Sequence, residues 1–282
     1  LGESTTGGYT MFELPVPKQK MVHVHAGAEE LGRVYQATLP INSGMANFAA
    51  AAKAMKPVDA SAWKASVAEA KADYDKNVTP VPQPGSANMA EIIGWLNKRL
   101  PDDVIVTNGA GNYAGFVHRF FQYRGFRTQL APTNGSMGYG VPSGVAAKIA
   151  APGRMVVSFS GDGCFLMNGQ EFATAVQHGA NVVFIVVDNG MYGTIRMHQE
   201  REYPTRVHGT DLKNPDFAAY ARAFNGHGET VERTEDFAAA FERCVGAGKP
   251  SIIHVKTDAE AITSRITLSK LREQSLAKQK QH

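Results

Sequence analysis

The sequence predicts an α/β protein: a doubly wound parallel sheet with helices on both faces, preceded by the remnant of a second α/β domain. Three observations carry this. From residue 86 onward, apolar strands alternate with amphipathic helices, as in successive βαβ units. Val182-Val183-Phe184-Ile185-Val186-Val187 is apolar without a break, as a strand buried on both faces must be. Pro80-Val81-Pro82-Gln83-Pro84-Gly85 excludes helix and central strand alike, since fixed φ angles and missing N–H donors break both. That run divides the chain into an N-terminal and a C-terminal part.

Taken in order, Lys20-Met21-Val22-His23-Val24-His25 alternates with period two, as a strand does. A short helix is predicted at residues 29–34 and an Ala-rich one at 44–55. Three elements cannot enclose a core, so residues 1–58 read as the tail of one domain. His23 and His25 share a strand face, but without a third ligand nearby they read as sheet-surface residues. In residues 59–85, Trp63, Val67, Ala70 and Tyr74 mark an amphipathic helix with Asp59 or Ser61 as N-cap, leading into the proline-rich linker. Residues 86–260 form the main domain. Met89, Ile92, Ile93, Leu96 and Leu100 define a helical face, and Val104–Val106 a strand. Further helices are predicted at 115–122, 141–149 and 168–178, with strands at 155–160 and 182–187. Asn214-Pro215 should cap a helix reaching Phe224, Pro occupying the first helical position. A helix at 235–245 and a strand at 251–256 close the series. Residues 261–282 are a basic tail, read as a solvated, frayed helix.

Composition bounds the function. Among 282 residues, 29 Lys and Arg balance 26 Asp and Glu, so nothing announces a nucleic-acid partner. No apolar run is long enough to span a membrane. Two cysteines, Cys164 and Cys244, make neither a disulfide framework nor a metal cluster, which suits a reducing cytoplasm. The chain opens Leu1-Gly2-Glu3, in a loop with no initiator Met and no signal segment, and reads as a piece of a longer polypeptide.

Two glycine-rich turns compete for a phosphate. Gly109-Ala110-Gly111-Asn112-Tyr113-Ala114 loosely matches a dinucleotide fingerprint, but Arg124 and Arg127 stand where a ribose-binding acid belongs. The second turn is more specific. The strand ending at Ser160 runs into Gly161-Asp162-Gly163, and Asn189 comes 25 residues later at the end of the next strand. A carboxylate and an amide oxygen on adjacent strand ends are hard-oxygen ligands suited to Mg²⁺. A helix starting near Asn168 would offer free N–H groups to a phosphate. Together these ask for a diphosphate held through a divalent ion.

This pattern resembles the thiamine-diphosphate enzymes of the acetolactate synthase/pyruvate decarboxylase-like family. Gly161-Asp162-Gly163, the gap and Asp188-Asn189 look like its cofactor motif, and Asn134-Gly135-Ser136-Met137-Gly138-Tyr139-Gly140-Val141-Pro142 is similar to the segment preceding it. The resemblance covers residues 1–260, with 10–42 like the end of the family's central domain. It implies thiamine diphosphate and Mg²⁺, with Asp162, Asn189 and the carbonyl of Met191 as metal ligands. Gly161, Gly163, Cys164, Gly193, Thr194, Asn112 and Tyr113 would lie along the diphosphate. Gly135 and Met137 would hold the aminopyrimidine, Met137 wedging between the two cofactor rings. The implied reaction is cleavage or ligation of a C–C bond next to a carbonyl, with a keto acid or other carbonyl substrate; a diketone hydrolase and a naturally split subunit stay open. FAD is allowed by the resemblance, though no motif here speaks for it. The family's activating glutamate belongs to a pyrimidine-binding domain absent from these residues, so no catalytic residue is assigned and a homodimer or homotetramer is expected. His198 stands where acetolactate synthases carry a Trp that selects the second keto acid.

Overall fold

A computed structural model describes residues 12–280; the opening loop at residues 1–3 and the last two residues of the basic tail lie outside them. The chain divides into two compact units, Leu1–Ala70 and Lys71–His282. In the first, strands β1 (Val22–His25) and β2 (Leu39–Asn42) pair in parallel, and helix α1 (Met45–Lys53) packs on β1. The helix expected at 29–34 is a single 3₁₀ turn, Ala28–Glu30. Helix α2 (Lys64–Val78) straddles the division. Its predicted apolar stripe is exposed at Trp63, Val67 and Tyr74, and the helix buries no residue. Asp59 accepts from the Ser61 N–H at 2.9 Å, at the entrance to this segment.

The second unit contains α3 (Met89–Arg99), β3 (Ile105–Asn108), α4 (Asn112–Phe120), β4 (Gln129–Leu130), α5 (Gly140–Ala150), β5 (Val156–Gly161) and α6 (Asp162–Asn168). It continues with α7 (Glu171–Gln177), β6 (Val183–Asp188), α8 (Gly193–Glu202), α9 (Phe217–Ala223), β7 (His227–Val231), α10 (Phe237–Gly246), β8 (Ser251–Lys256) and α11 (Leu268–Gln279). Six strands lie in the order β4-β3-β5-β6-β8-β7, every pair parallel. Alternate residues of each strand face opposite cores. Along β6, Val183, Ile185 and Val187 join a core with Leu96 of α3, Phe120 of α4 and Phe241 of α10. Phe184 and Val186 join another with Val145 of α5, Phe172 of α7 and Phe217 of α9. Helices therefore cover both faces, and the doubly wound prediction holds. Among the described residues, no helix is long and apolar enough to cross a membrane.

Local chemistry explains the boundaries. Asn88 caps α3, its side chain accepting from the Ala90 and Glu91 N–H groups, and Pro101 comes directly after the C-cap Leu100. Three expectations are corrected. The helix expected at 168–178 is α7, starting at Glu171, but an unforeseen helix α6 begins at Asp162 directly off β5, so the N–H groups facing the strand ends are those of α6. Asp216, not Asn214, caps α9, accepting from Ala219 N–H at 2.9 Å. The tail is not frayed: α11 packs on α8, burying Leu268 and Leu271. There, Glu200 of α8 is fully buried and takes a bidentate pair from Arg272, at 2.6 and 2.8 Å. Arg196 adds a bond at 3.0 Å.

Strand order places the functional crevice. From β3 the chain moves outward to β4, then returns across β3 to β5. The connections after β3 and β5 thus leave toward opposite faces, and a crevice opens between the carboxyl ends of the two strands. Open parallel sheets bind ligands at such a switch point.

Candidate functional site

Three strand ends build the site. Gly109–Gly111 leads from β3 into α4, Gly161 leads from β5 straight into α6, and Asn189–Tyr192 leads from β6 into α8. The β5–β6 register pairs Gly161 with Val187, which sets Asp162 level with Asp188. A cavity of about 250 Å³ sits over these ends. All twelve residues singled out in the sequence line it: Asn112, Tyr113, Gly135, Met137, Gly161, Asp162, Gly163, Cys164, Asn189, Met191, Gly193 and Thr194. The two competing glycine turns belong to one cavity. Gly135 has a φ of +73°, in the left-handed region, with nothing within 4 Å of where a Cβ would be. At Gly161 the constraint is contact, because a Cβ there would come within 2.8 Å of the Tyr113 ring.

Across the crevice, Thr194 Oγ1 accepts from the Asn112 N–H at 2.9 Å and donates to Asn112 Oδ1 at 3.0 Å, joining α8 to α4. Tyr113 donates its hydroxyl to Cys164 Sγ at 3.2 Å, and the Gly138 N–H points at the same sulfur. Burial, with the Cys164 sulfur adding to it, pushes the Tyr113 phenol well above its ordinary range. Tyr113 is therefore a neutral donor at any physiological pH.

At the centre are two carboxylates. Asp162 is buried; its Oδ1 accepts from the Gly163 N–H at 2.8 Å, and its Oδ2 from the Gly190 N–H at 2.9 Å and Asn214 Nδ2 at 2.8 Å. Asp188 Oδ1 accepts from the same Gly190 N–H and, at 2.7 Å, from the same Asn214 amide. Its Oδ2 meets His254 Nε2 at 2.7 Å. Burial raises the Asp162 carboxyl, and the charge of Asp188 pushes the same way against the N–H donors. Burial acts on Asp188 too, but the bonds from His254, Gly190 and Asn214 outweigh it and hold that carboxyl low.

Sequence reasoning misses parts of this network. Asn214 reads as a helix cap, and no motif singles out His254; both become visible only when strand ends and loops distant in sequence converge. Thr257, Ala261 and Ile262, just beyond β8, also line the cavity. His198 is exposed on α8 and does not line it.

The donor set fits a small hard cation. No Lys or Arg pairs with Asp162 among the described residues; its donors are neutral N–H groups, leaving its charge uncompensated. The Asn189 side chain makes no hydrogen bond among the described residues, and it lines the cavity. Gly190 O accepts from Leu212 N–H and Tyr192 N–H bonds Thr210 O, flanking an isolated bridge between Met191 and Asp211. That pairing turns the Met191 carbonyl away from residue 211, and among the described residues no hydrogen bond reaches it. A carboxylate, an amide and a free carbonyl are the oxygen ligands that Mg²⁺ takes, alongside water and substrate phosphates.

Comparison with known proteins agrees with this geometry. The profile "Thiamine pyrophosphate enzyme, C-terminal TPP binding domain" matches residues 109–255. Isozyme 2 of the acetolactate synthase large subunit from Escherichia coli is 27% identical over 245 residues, covering 86% of this chain and 44% of that protein. The probable acetolactate synthase large subunit of Methanocaldococcus jannaschii is 28% identical over 260 residues, covering 87% and 44%. Sulfoacetaldehyde acetyltransferase from Castellaniella defragrans is 32% identical over 158 residues, covering 56% and 26%. The chain thus spans less than half the length of these relatives. The profile match takes in more than half of the chain and all twelve of those cavity residues, and the protein belongs to the thiamine pyrophosphate enzymes through this C-terminal, cofactor-binding domain.

Proposed function

We propose that the protein is a thiamine-diphosphate-dependent enzyme of the 2-keto acid decarboxylase or carboligase type, and that this chain supplies the Mg²⁺–diphosphate half of its site. The observation that carries the reading is the buried Asp162, which among the described residues has no cationic partner and stands beside an unbonded amide and an unbonded carbonyl at a sheet switch point. The names of the relatives, acetolactate synthases and an acetyltransferase, support the same reaction class.

In this reading Asp162, Asn189 and the Met191 carbonyl hold Mg²⁺. Gly161, Gly163, Cys164, Gly193 and Thr194, with Asn112 and Tyr113 across the crevice, line the diphosphate, while Gly135 and Met137 hold the aminopyrimidine. When bound, thiamine diphosphate supplies a carbon nucleophile for the carbonyl and a sink for the electrons freed by C–C cleavage. The chain's own residues bind and orient. The Asn112–Thr194 pair fixes the first turn of α8, the neutral Tyr113 holds Cys164 in place, and the buried Phe116 and Ile262 give the cavity apolar walls. Residues 1–58 are the tail of a central domain, 59–85 a connector, 86–260 the cofactor domain and 261–282 its tail. The complete site adds a pyrimidine-binding domain in a homodimer or homotetramer of the cytoplasm, acting on a keto acid or related carbonyl compound.

Calorimetry tests the assignment. The Asp162→Ala variant should fold and lose Mg²⁺-dependent thiamine diphosphate binding. Unchanged cofactor affinity and metal dependence in that variant would overturn it.

A further inference from the structure

Asn214 lies outside the sequence motif, in the loop before α9, yet it reaches both carboxylates of the site. Its Nδ2 group has two hydrogens. One goes to Asp162 Oδ2 at 2.8 Å and the other to Asp188 Oδ1 at 2.7 Å. The Gly190 N–H is shared between the same two oxygens. An ionised carboxylate oxygen offers about two lone pairs in its plane. On Asp162, Oδ2 has both engaged, by Gly190 and Asn214, while Oδ1 has one engaged, by Gly163.

The orientation of this amide is fixed by what surrounds it. Turning it over would set its oxygen against two carboxylate oxygens. As placed, its own Oδ1 is buried and makes no hydrogen bond among the described residues. A buried acceptor left without a partner is costly, so the two donated bonds must outweigh it. The chemistry of the donor matters as well. A lysine or arginine here would also bridge the carboxylates, but would neutralise them and compete with a metal. Asn214, Gly163 and Gly190 orient Asp162 without neutralising it, and of the two site carboxylates His254 bonds Asp188 alone.

We propose that Asn214 is a positioning residue for the metal. By saturating Asp162 Oδ2 and tying it to Asp188, it leaves Oδ1 as the one oxygen free to bind a cation, so that Asp162 is a single-oxygen ligand. The inference rests on the metal site proposed above and adds to it a residue that touches neither metal nor cofactor. Partners that orient a metal ligand from behind commonly account for about 10–100-fold in metal affinity.

The test is a Mn²⁺ titration followed by electron paramagnetic resonance, at saturating thiamine diphosphate, with thermal unfolding of each metal-free variant alongside. Asn214→Leu keeps the shape and removes both donors; it should weaken Mn²⁺ binding about 10–100-fold while the metal-free protein unfolds as a folded domain near the parent's midpoint. Asn214→Ser keeps one donor and should fall between. Parental affinity in Asn214→Leu overturns the inference; if that variant does not fold, parental affinity in Asn214→Ser does so. Affinity that falls only in step with collapse of the metal-free fold makes the role structural and overturns it too. Asp162→Ala separates the two levels. If it loses Mn²⁺ while the Asn214 variants keep it, only this inference fails. If it keeps Mn²⁺, the metal site itself is wrong.

Discussion

The backbone at Gly161 has ordinary dihedrals, φ −72° and ψ 161°, which any residue adopts. What excludes a side chain there is the Tyr113 ring, 2.8 Å from the position a Cβ would take. The ring is held by its hydroxyl bond to Cys164 and is not a flexible end that moves aside. Gly161→Ala should therefore destabilise the domain by about 1–3 kcal/mol, the usual cost of overpacking a close-packed site. Urea unfolding measures this directly. Introduced into a Tyr113→Ala background, the same methyl group should cost less, because the atoms it strikes are gone; a double-mutant cycle gives the coupling. Equal costs in the two backgrounds would mean that the strain lies elsewhere. Burial also keeps the Tyr113 hydroxyl neutral, so at the proposed diphosphate site it donates without adding a negative charge.

At the scale of elements, α11 is bolted to α8 by a buried acid, and α8 carries Thr194 at its first turn. Hydrogen bonds from Arg272, together with the Thr205 N–H and Arg196, hold the Glu200 carboxyl down to about 2 despite its burial. Because the folded value lies below the unfolded one of 4.5, the resulting stability is fully present above about pH 4.5 and is lost as pH falls toward 2. A depression of that size corresponds to on the order of 3 kcal/mol. Arg272→Ala should remove much of this and flatten the acid limb of the stability profile between those values, measurable by denaturant unfolding at a series of pH values. An unchanged acid limb would assign the pH dependence to other carboxylates. The docking of α11 is not legible in sequence: its helix is polar, and only burial of Glu200 on another element reveals why Arg272 is there. The central strands are legible because both faces are apolar. Strand β7, His-Gly-Glu-Thr-Val at the sheet edge, and the two-residue β4 carry no such pattern. The start of α6 is hidden because Gly161-Asp162-Gly163 reads as a loop, although Asp162 is its first residue. Spacing alone singles out Gly161-Asp162-Gly163 and Asn189, while the rest of the twelve, such as Asn112, Tyr113, Gly135 and Met137, are legible only through the family resemblance. Asn214 is misread because Asn-Pro is a strong local cap signal, and its bond to Asp162 spans 52 residues.

For the whole molecule, the lining of the cavity leads to a prediction about activity. Its only acidic residue is Asp162, and neither that cavity nor the larger groove beside it, which shares Gly111, Asn112 and Gly135, is lined by a glutamate among the described residues. The groove instead carries His118, Arg119, Arg201 and Arg265. In the proposed assignment that carboxylate, held by Gly163, Gly190 and Asn214, serves the diphosphate end and the metal. In the proposed division of the site, a group that moves a proton at the aminopyrimidine comes from another domain. Positioned proton transfer typically contributes about 10²–10⁴-fold, and holding the reacting carbonyl in place contributes further. Binding the diphosphate equally in ground and transition states gives affinity but no acceleration. The chain should thus bind thiamine diphosphate in the presence of Mg²⁺ and leave the exchange of its thiazolium C2 proton close to the rate in buffer. Proton NMR in D₂O, with the cofactor fully bound, measures that exchange. Acceleration by about two orders of magnitude or more from this chain alone would mean that an activating acid lies within these 282 residues after all, and the proposed division of the site between two domains would have to be abandoned.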